Sequence, residues 1–132
     1  MSAGTLKVGV VGVGSLGFHH ARILRELTDC ELAGVFDNRS ERADEVAATL
    51  GVRAASSLTA LLDGVDACVI AVPTESHESV ALAAVERGVH VLIEKPIAPT
   101  LESADRILDA AEYAGTLIQT GHVERFNGAL RA

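Results

Sequence analysis

The sequence predicts an α/β fold built on a doubly wound parallel sheet with helices covering both faces. Three observations predict it. Short β-branched runs alternate with longer helical periods along the whole chain. The run Ala67-Cys68-Val69-Ile70-Ala71-Val72 is apolar at every position, as a strand buried on both faces requires, whereas a strand of an antiparallel meander would alternate. The connections are short and suit right-handed crossovers, which gives an expected strand order of 3-2-1-4-5-6.

The strands are expected at residues 7–11, 31–37, 52–54, 67–72, 89–93 and 117–120. Between the first two, Leu16, His20, Ile23, Leu24 and Leu27 fall on one helical stripe, and a second stripe runs through Ala43, Val46, Ala47 and Leu50. Residues 57–62 have room for one or two short turns, and residues 76–87 and 101–114 read as helices. Ser40 and Thr100 stand where N-caps belong. Gly51, Gly88 and Gly115 stand just past helix ends, where a left-handed residue is commonly needed. The domain is expected to span residues 1–121, with 122–132 as a segment leaving it.

With 132 residues the chain has the size of one domain and needs no disulfide or metal staple to hold a core. Hydrophobic residues make up 48% and charged residues 22%, and the mean hydropathy of +0.30 points to an apolar surface that something covers. The 11 basic and 18 acidic residues leave a net charge of −7 with no Lys/Arg block, which disfavours nucleic acid as a partner. Four aromatics, Phe18, Phe36, Tyr113 and Phe126, are too few for a base-stacking platform. Cys30 and Cys68 lie far apart and belong to no metal-spaced cluster, so both are expected as reduced residues and no metal site is expected. No segment reaches the roughly 20 apolar residues of a membrane helix, and the first residues lack the basic start of a signal peptide. The expectation is a cytoplasmic protein without a membrane partner.

Gly12-Val13-Gly14-Ser15-Leu16-Gly17 joins the first expected strand to a helix. A G-x-G-x-x-G pattern in that position is a dinucleotide-binding fingerprint. Gly12 permits the tight turn, Gly14 lets the backbone approach a pyrophosphate, Gly17 lets the helix pack close, and the helix start with Ser15 and Leu16 offers N–H groups to the phosphates. Asp37 follows Gly12 by 25 residues, near the spacing of the acid that accepts hydrogen bonds from an adenine ribose. Its carboxylate repels a 2′-phosphate and favours NAD. The adjacent Asn38 and Arg39 border the same position, and Arg39 could instead pair with a 2′-phosphate, which keeps NADP open. Val72, Pro73, Thr74 and His77 should border the cofactor where the strand order reverses. A histidine at a helix start serves as a cap or surface residue more often than as a catalyst, and both readings of His77 stay open. Glu94-Lys95-Pro96 is either a solvated loop or a place where Lys95 hydrogen-bonds a substrate hydroxyl and stabilises its developing alkoxide.

The motifs Gly12-x-Gly14-x-x-Gly17-x-x-His20, Ala71-Val72-Pro73-Thr74-x-x-His77 and Glu94-Lys95-Pro96 occur in the order and spacing of the Gfo/Idh/MocA oxidoreductases, a family that the whole chain resembles. The resemblance implies an NAD(P)-dependent dehydrogenase or reductase acting on a sugar, sugar derivative or cyclic polyol. It implies that Lys95 contacts the reacting hydroxyl near the nicotinamide, that Glu94 and Pro96 shape that corner, that His77 lines the cofactor cleft, and that the Lys95–Pro96 bond is cis. The segment Gly121-His122-Val123-Glu124-Arg125-Phe126-Asn127 resembles the crossover segment of nucleotide-sugar 3-dehydrogenases in the family, which makes His122 and Arg125 candidate substrate contacts.

Members of the family continue into a second α/β domain that supplies most substrate contacts and the usual oligomer interface. Cofactor binding with little turnover is therefore expected of these residues alone, and the surface facing that domain is a candidate for self-association. A non-catalytic NAD(H)-sensing or scaffolding module shares the glycine and Asp37 arguments but gives Lys95 no chemical task. An S-adenosylmethionine methyltransferase would share the early glycines and leave Glu94-Lys95-Pro96 unexplained.

Overall fold

The computed structural model describes residues 5–121. Strand β1 (Leu6–Val11) leads into helix α1 (Ser15–Glu26), followed by β2 (Cys30–Phe36), α2 (Ser40–Leu50) and the short α3 (Leu58–Leu62). Strand β3 (Ala67–Ile70), a 3-10 turn (Thr74–Ser76), α4 (His77–Glu86), β4 (His90–Ile93), α5 (Leu101–Ala114) and β5 (Ile118–Thr120) complete the order.

All pairings are parallel, and the sheet order is β2-β1-β3-β4-β5. The strand expected at residues 52–54 is reduced to one isolated bridge between Val35 and Ala54. It is flanked by hydrogen bonds from Val35 N–H to Arg53 O (2.9 Å) and from Ala55 N–H to Val35 O (2.8 Å). This segment sits beside β2 at the sheet edge, so its inclusion gives the anticipated 3-2-1-4-5-6. It goes no further because Ala54-Ala55-Ser56-Ser57 has little strand propensity, and Ser57 caps α3 by accepting from Ala60 N–H. The strand expected at residues 67–72 stops at Ile70. Ala71 makes the last ladder bond, to Val11 O (2.8 Å), and Pro73 has no N–H to extend the ladder.

Helices α1 and α2 cover one face of the sheet around Val8, Val10, Leu32, Val35 and Val69, while α3, α4 and α5 cover the other around Val11, Cys68, Ile70, Val91 and Ile93. The α2 stripe is buried as expected. On α1 the buried residues are Gly17, His20 and Ala21, whereas Leu16 and Leu27 are exposed. Thr100 caps α5 by accepting from Ser103 N–H at 3.0 Å. Ser40 is not a cap: the Arg39 carbonyl accepts from Arg42 and Ala43, so Arg39 is the N-cap and Ser40 the first helical residue. Gly51 and Gly115 are left-handed and end their helices, and Gly88 adopts φ +73° just after the cap residue Arg87.

On the α1 face, an apolar groove of about 800 Å³ opens between that helix and β3–β5, lined by residues including Leu24, Leu27, Val69, Leu92 and Leu117. This surface accounts for part of the apolar composition. Among the described residues no helix is long and apolar enough to cross a membrane.

Glu78 of α4 ties down α5. It accepts from Arg106 Nε at 2.6 Å, Arg106 Nη2 at 3.0 Å and Ser103 Oγ at 2.6 Å. The hydrogen bond from Arg106 and then that from Ser103 hold the Glu78 carboxyl down at about 2, against an opposing effect of desolvation and with a smaller contribution from the Arg106 charge. A depressed folded value means that this stabilisation is present above the ordinary glutamate range and is lost as pH falls from about 4.5 towards 2. The urea midpoint should drop over that window, and Glu78→Gln should lower the neutral-pH midpoint and flatten the drop. A Glu78→Gln profile parallel to that of the parent would show that Glu78 does not supply this acid dependence.

Candidate cofactor site and lysine turn

The turn after β1 is shaped by what its backbone must avoid. Gly12 adopts φ +90°, and a Cβ there would lie 2.7 Å from Ala71 O. A Cβ at Gly17 would collide with the Gly12 carbonyl. The first turn of α1 can therefore lie directly over the end of β1. Gly14 differs, because the nearest atom to a Cβ there is Arg39 Nη2 at 3.7 Å, which leaves its side of the loop open. The bond from Phe18 N–H to Gly14 O (2.9 Å) starts the helix, so the N–H groups of Ser15, Leu16 and Gly17 precede the helical ladder and are available to an anion.

Asp37 stands one residue beyond β2, with its side chain only 10% exposed. Its Oδ2 accepts from Val13 N–H at 2.9 Å, and its Oδ1 accepts from Arg39 N–H at 2.9 Å and Arg39 Nε at 3.2 Å. Partial burial favours the neutral acid. The hydrogen bonds from Arg39 and Val13, together with the Arg39 charge, outweigh it and leave the carboxyl below its ordinary range. Arg42, which sequence reasoning did not single out, donates from Nε to Val13 O at 2.7 Å and lies 5.8 Å from the Phe18 ring centre. Both polar backbone groups of Val13 are thus held, one by the acid after β2 and one by a cation on α2.

Gly12, Gly14, Ser15 and Leu16 form one wall of a cleft of about 810 Å³, whose lining also includes Asp37, Asn38, Arg39, Val72 and Pro73. Phe36, Leu58, Ser76, Ser79 and Val80 also line it. Their cleft positions depend on how β2, α3 and α4 meet, which spacing alone did not show. The remaining candidates, Gly17, Thr74, His77, Glu94, Lys95 and Pro96, are not in this lining. Thr74 opens the 3-10 turn, and Lys95 and Pro96 are exposed just beyond β4. His122 and Arg125 lie outside the described residues.

The Lys95–Pro96 peptide bond is cis, as the resemblance implied. His77 is 2% exposed and faces carbonyls: Nδ1 lies 3.0 Å from Pro96 O and 3.2 Å from Ile97 O, and Nε2 lies 3.0 Å from Val72 O. It connects the cleft wall at Val72 to the lysine turn. Glu94 is also buried, and its Oε2 lies 2.5 Å from Nε2 of the fully buried His20. The hydropathy pattern had placed His20 on the apolar stripe. Its recurrence three residues after Gly17 in the quoted motif was the available signal. Among the described residues, no group of three His, Cys, Asp or Glu side chains is placed to hold a metal ion. Cys68 is buried, which pushes its thiol up to about 12, while burial and then Asp29 raise Cys30.

The chain is 44% identical over 126 residues to UDP-N-acetylglucosamine 3-dehydrogenase from Acidithiobacillus ferrooxidans, covering 96% of this chain and 40% of that protein. A solved structure of that enzyme superposes with a TM-score of 0.88, covering 96% of this chain and 41% of the other. Inositol 2-dehydrogenase 4 from Saccharopolyspora erythraea is 40% identical over 132 residues, covering 96% of this chain and 39% of its own length. Biliverdin reductase from Synechocystis, solved with biliverdin and NADP+, is 28% identical with a TM-score of 0.84 over 97% of this chain and 41% of that one. The chain thus spans about 40% of the length of the curated relatives it matches. Residues 6–122 match the Gfo/Idh/MocA oxidoreductases, described as having an NAD-binding Rossmann fold, and the chain belongs to that family.

Proposed function

We propose that this chain is the cofactor-binding portion of an NAD(P)-dependent oxidoreductase acting on a hydroxyl carbon of a sugar, nucleotide sugar or cyclic polyol. The observation that carries the reading is the shared cleft, in which the open backbone at Gly14 and the ionised Asp37 face the same space. A dinucleotide fits these groups: N–H donors for the pyrophosphate at one wall and an acceptor for a ribose hydroxyl at the other. The substrate class is supported by the UDP-N-acetylglucosamine and inositol dehydrogenases among the relatives.

NAD is the favoured cofactor. The Asp37 carboxylate repels a 2′-phosphate, and Arg39, the nearest cation to it, is already engaged with Asp37. NADP is the alternative, supported by the neighbour solved with NADP+. When bound, the nicotinamide supplies the hydride acceptor. Lys95 then has the task of polarising the reacting hydroxyl through a hydrogen bond or, as the uncharged amine, taking up its proton, as the carbon gives up hydride, while Glu94 and Pro96 shape the corner around it. Substrate walls beyond these residues are needed for turnover, so this chain alone should bind cofactor and turn over slowly. The apolar groove beside α1 favours self-association as well. Sedimentation at high concentration should show it, with Leu92→Glu dispersing the complex, and a strictly monomeric parent would remove this partner.

Calorimetry with NADH tests the central reading. Asp37→Ala should weaken NADH about tenfold or more, the contribution of a hydrogen bond to a charged group. An absence of binding by the parent at millimolar NADH would overturn the proposal. The depressed folded value of Asp37 means that its contribution holds above the ordinary aspartate range near 4 and fades as pH falls below it.

Gly14→Ala and Gly17→Ala separate binding from folding. The first should fold with a near-parental melting temperature, since its Cβ meets nothing closer than 3.7 Å, yet lose NADH affinity. The second should be destabilised by about 2 kcal/mol or more through overpacking. In a longer chain that includes the continuing sequence, Lys95→Ala should abolish sugar or polyol oxidation while NADH still binds. Undiminished turnover would remove Lys95 from the chemistry, and a longer parent chain that binds NADH without turnover would favour a sensing or scaffolding role.

A further inference from the structure

Two buried histidines converge on the turn that carries Lys95, one from each side of the sheet. His20 reaches it from α1 through the Glu94 side chain at 2.5 Å. His77 reaches it from the start of α4 through the carbonyls of Pro96 at 3.0 Å and Ile97 at 3.2 Å, with Val72 O at 3.0 Å from its other nitrogen. The Glu94 N–H meets Ile70 O at 3.3 Å, so the backbone entering the turn is also tied to β3.

The chemistry of the two rings differs. His20 Nδ1 is buried without a hydrogen-bond partner, which places the ring proton on Nε2, where it donates to the Glu94 carboxylate. An aliphatic residue would fill the same space without leaving a buried nitrogen unsatisfied. What the histidine adds is a charge-assisted bond that makes burial of Glu94 tolerable and fixes the residue next to Lys95. Carbonyl oxygens only accept, so His77 ties the side on which its proton lies and ties both sides when it carries two.

We infer that His20 and His77 are positioning residues that hold residues 94–97 from both ends and so set the placement of Lys95. Neither ring is in the cleft lining, and their effect passes through Glu94, Pro96, Ile97 and Val72. The inference rests on the reading that Lys95 serves the nicotinamide end of the cofactor.

The test compares two ligands on this chain by calorimetry: NADH, and ADP-ribose, which lacks the nicotinamide. The parent should bind NADH more tightly, and Lys95→Ala should reduce that preference about tenfold or more. His20→Leu should cut the preference about tenfold, the loss of one hydrogen bond to a charged group, and His77→Leu should cut it about threefold, the loss of one to a neutral carbonyl, with ADP-ribose affinity unchanged. His20→Gln retains an N–H near the Nε2 position, and His77→Gln retains an N–H for one carbonyl as the singly protonated ring does, so each should restore most of the preference. Should the leucine variants fail to fold by circular dichroism, His20→Asn and His77→Asn, whose shorter amides do not span the same distance, replace them. Equal losses for both ligands, no loss for either in the leucine or asparagine variants, or glutamine variants that lose as much as these would overturn the positioning role. If Lys95→Ala leaves the preference intact, the reading of Lys95 itself fails, and the positioning role falls with it.

Discussion

At Gly17 the backbone of α1 comes so close to the Gly12 carbonyl that no side chain fits between them, and the geometry of the candidate site follows from that approach. It seats the helix start over the carboxyl end of β1, inside the sheet between β2 and β3, where the N–H groups of Ser15, Leu16 and Gly17 precede the helical ladder. The loop between them is then held from both sides at Val13, by Asp37 at its N–H and by Arg42 at its carbonyl. Only Gly14 is left without a crowding neighbour. A loop held in this way needs little ordering when an anion arrives, which is how preorganisation improves affinity.

The same contacts reconcile an acidic chain with an anionic ligand. A net charge of −7 acts weakly at a distance because salt screens exposed charges beyond about 10 Å. The local field is set instead by the helix start, by Arg39 against Asp37 and by Arg42 against the loop. Asp37 serves two tasks. It stabilises the loop through Val13, and it leaves acceptor capacity facing the cleft, so the Asp37 end and the glycine-turn end of the cleft are mechanically joined.

Features set by neighbours in sequence were legible from the chain alone. The Thr100 cap and the left-handed Gly51 and Gly115 depend on residues a few positions away, and the glycine turn and Asp37 carry a spacing that is itself a sequence signal although their contacts at Ala71 and Val13 are distant. The strand at residues 52–54 was overestimated because its pattern says nothing of how many partners an edge segment finds, and it found one bridge. His20 and Arg42 escaped for the opposite reason. The partner of His20 lies 74 residues away and that of Arg42 lies 29 residues away, so no local period reports either. A stripe of apolar spacing also cannot separate a histidine that fills space from one that grips a buried acid.

The turn that carries Lys95 is tied to elements on both faces of the sheet. Among the described residues, Ile70 and His20 hold it at Glu94, and His77 holds it at Pro96 and Ile97. His77 also grips Val72 in the cleft wall, so a shift of that wall would move the lysine turn with it. His77 thus couples the cleft wall to the lysine turn through a single buried ring. On the role proposed for Lys95, placing the lysine and choosing the substrate are then separate tasks, because the residues that hold the turn are buried side chains of α1 and α4 rather than groups facing a substrate.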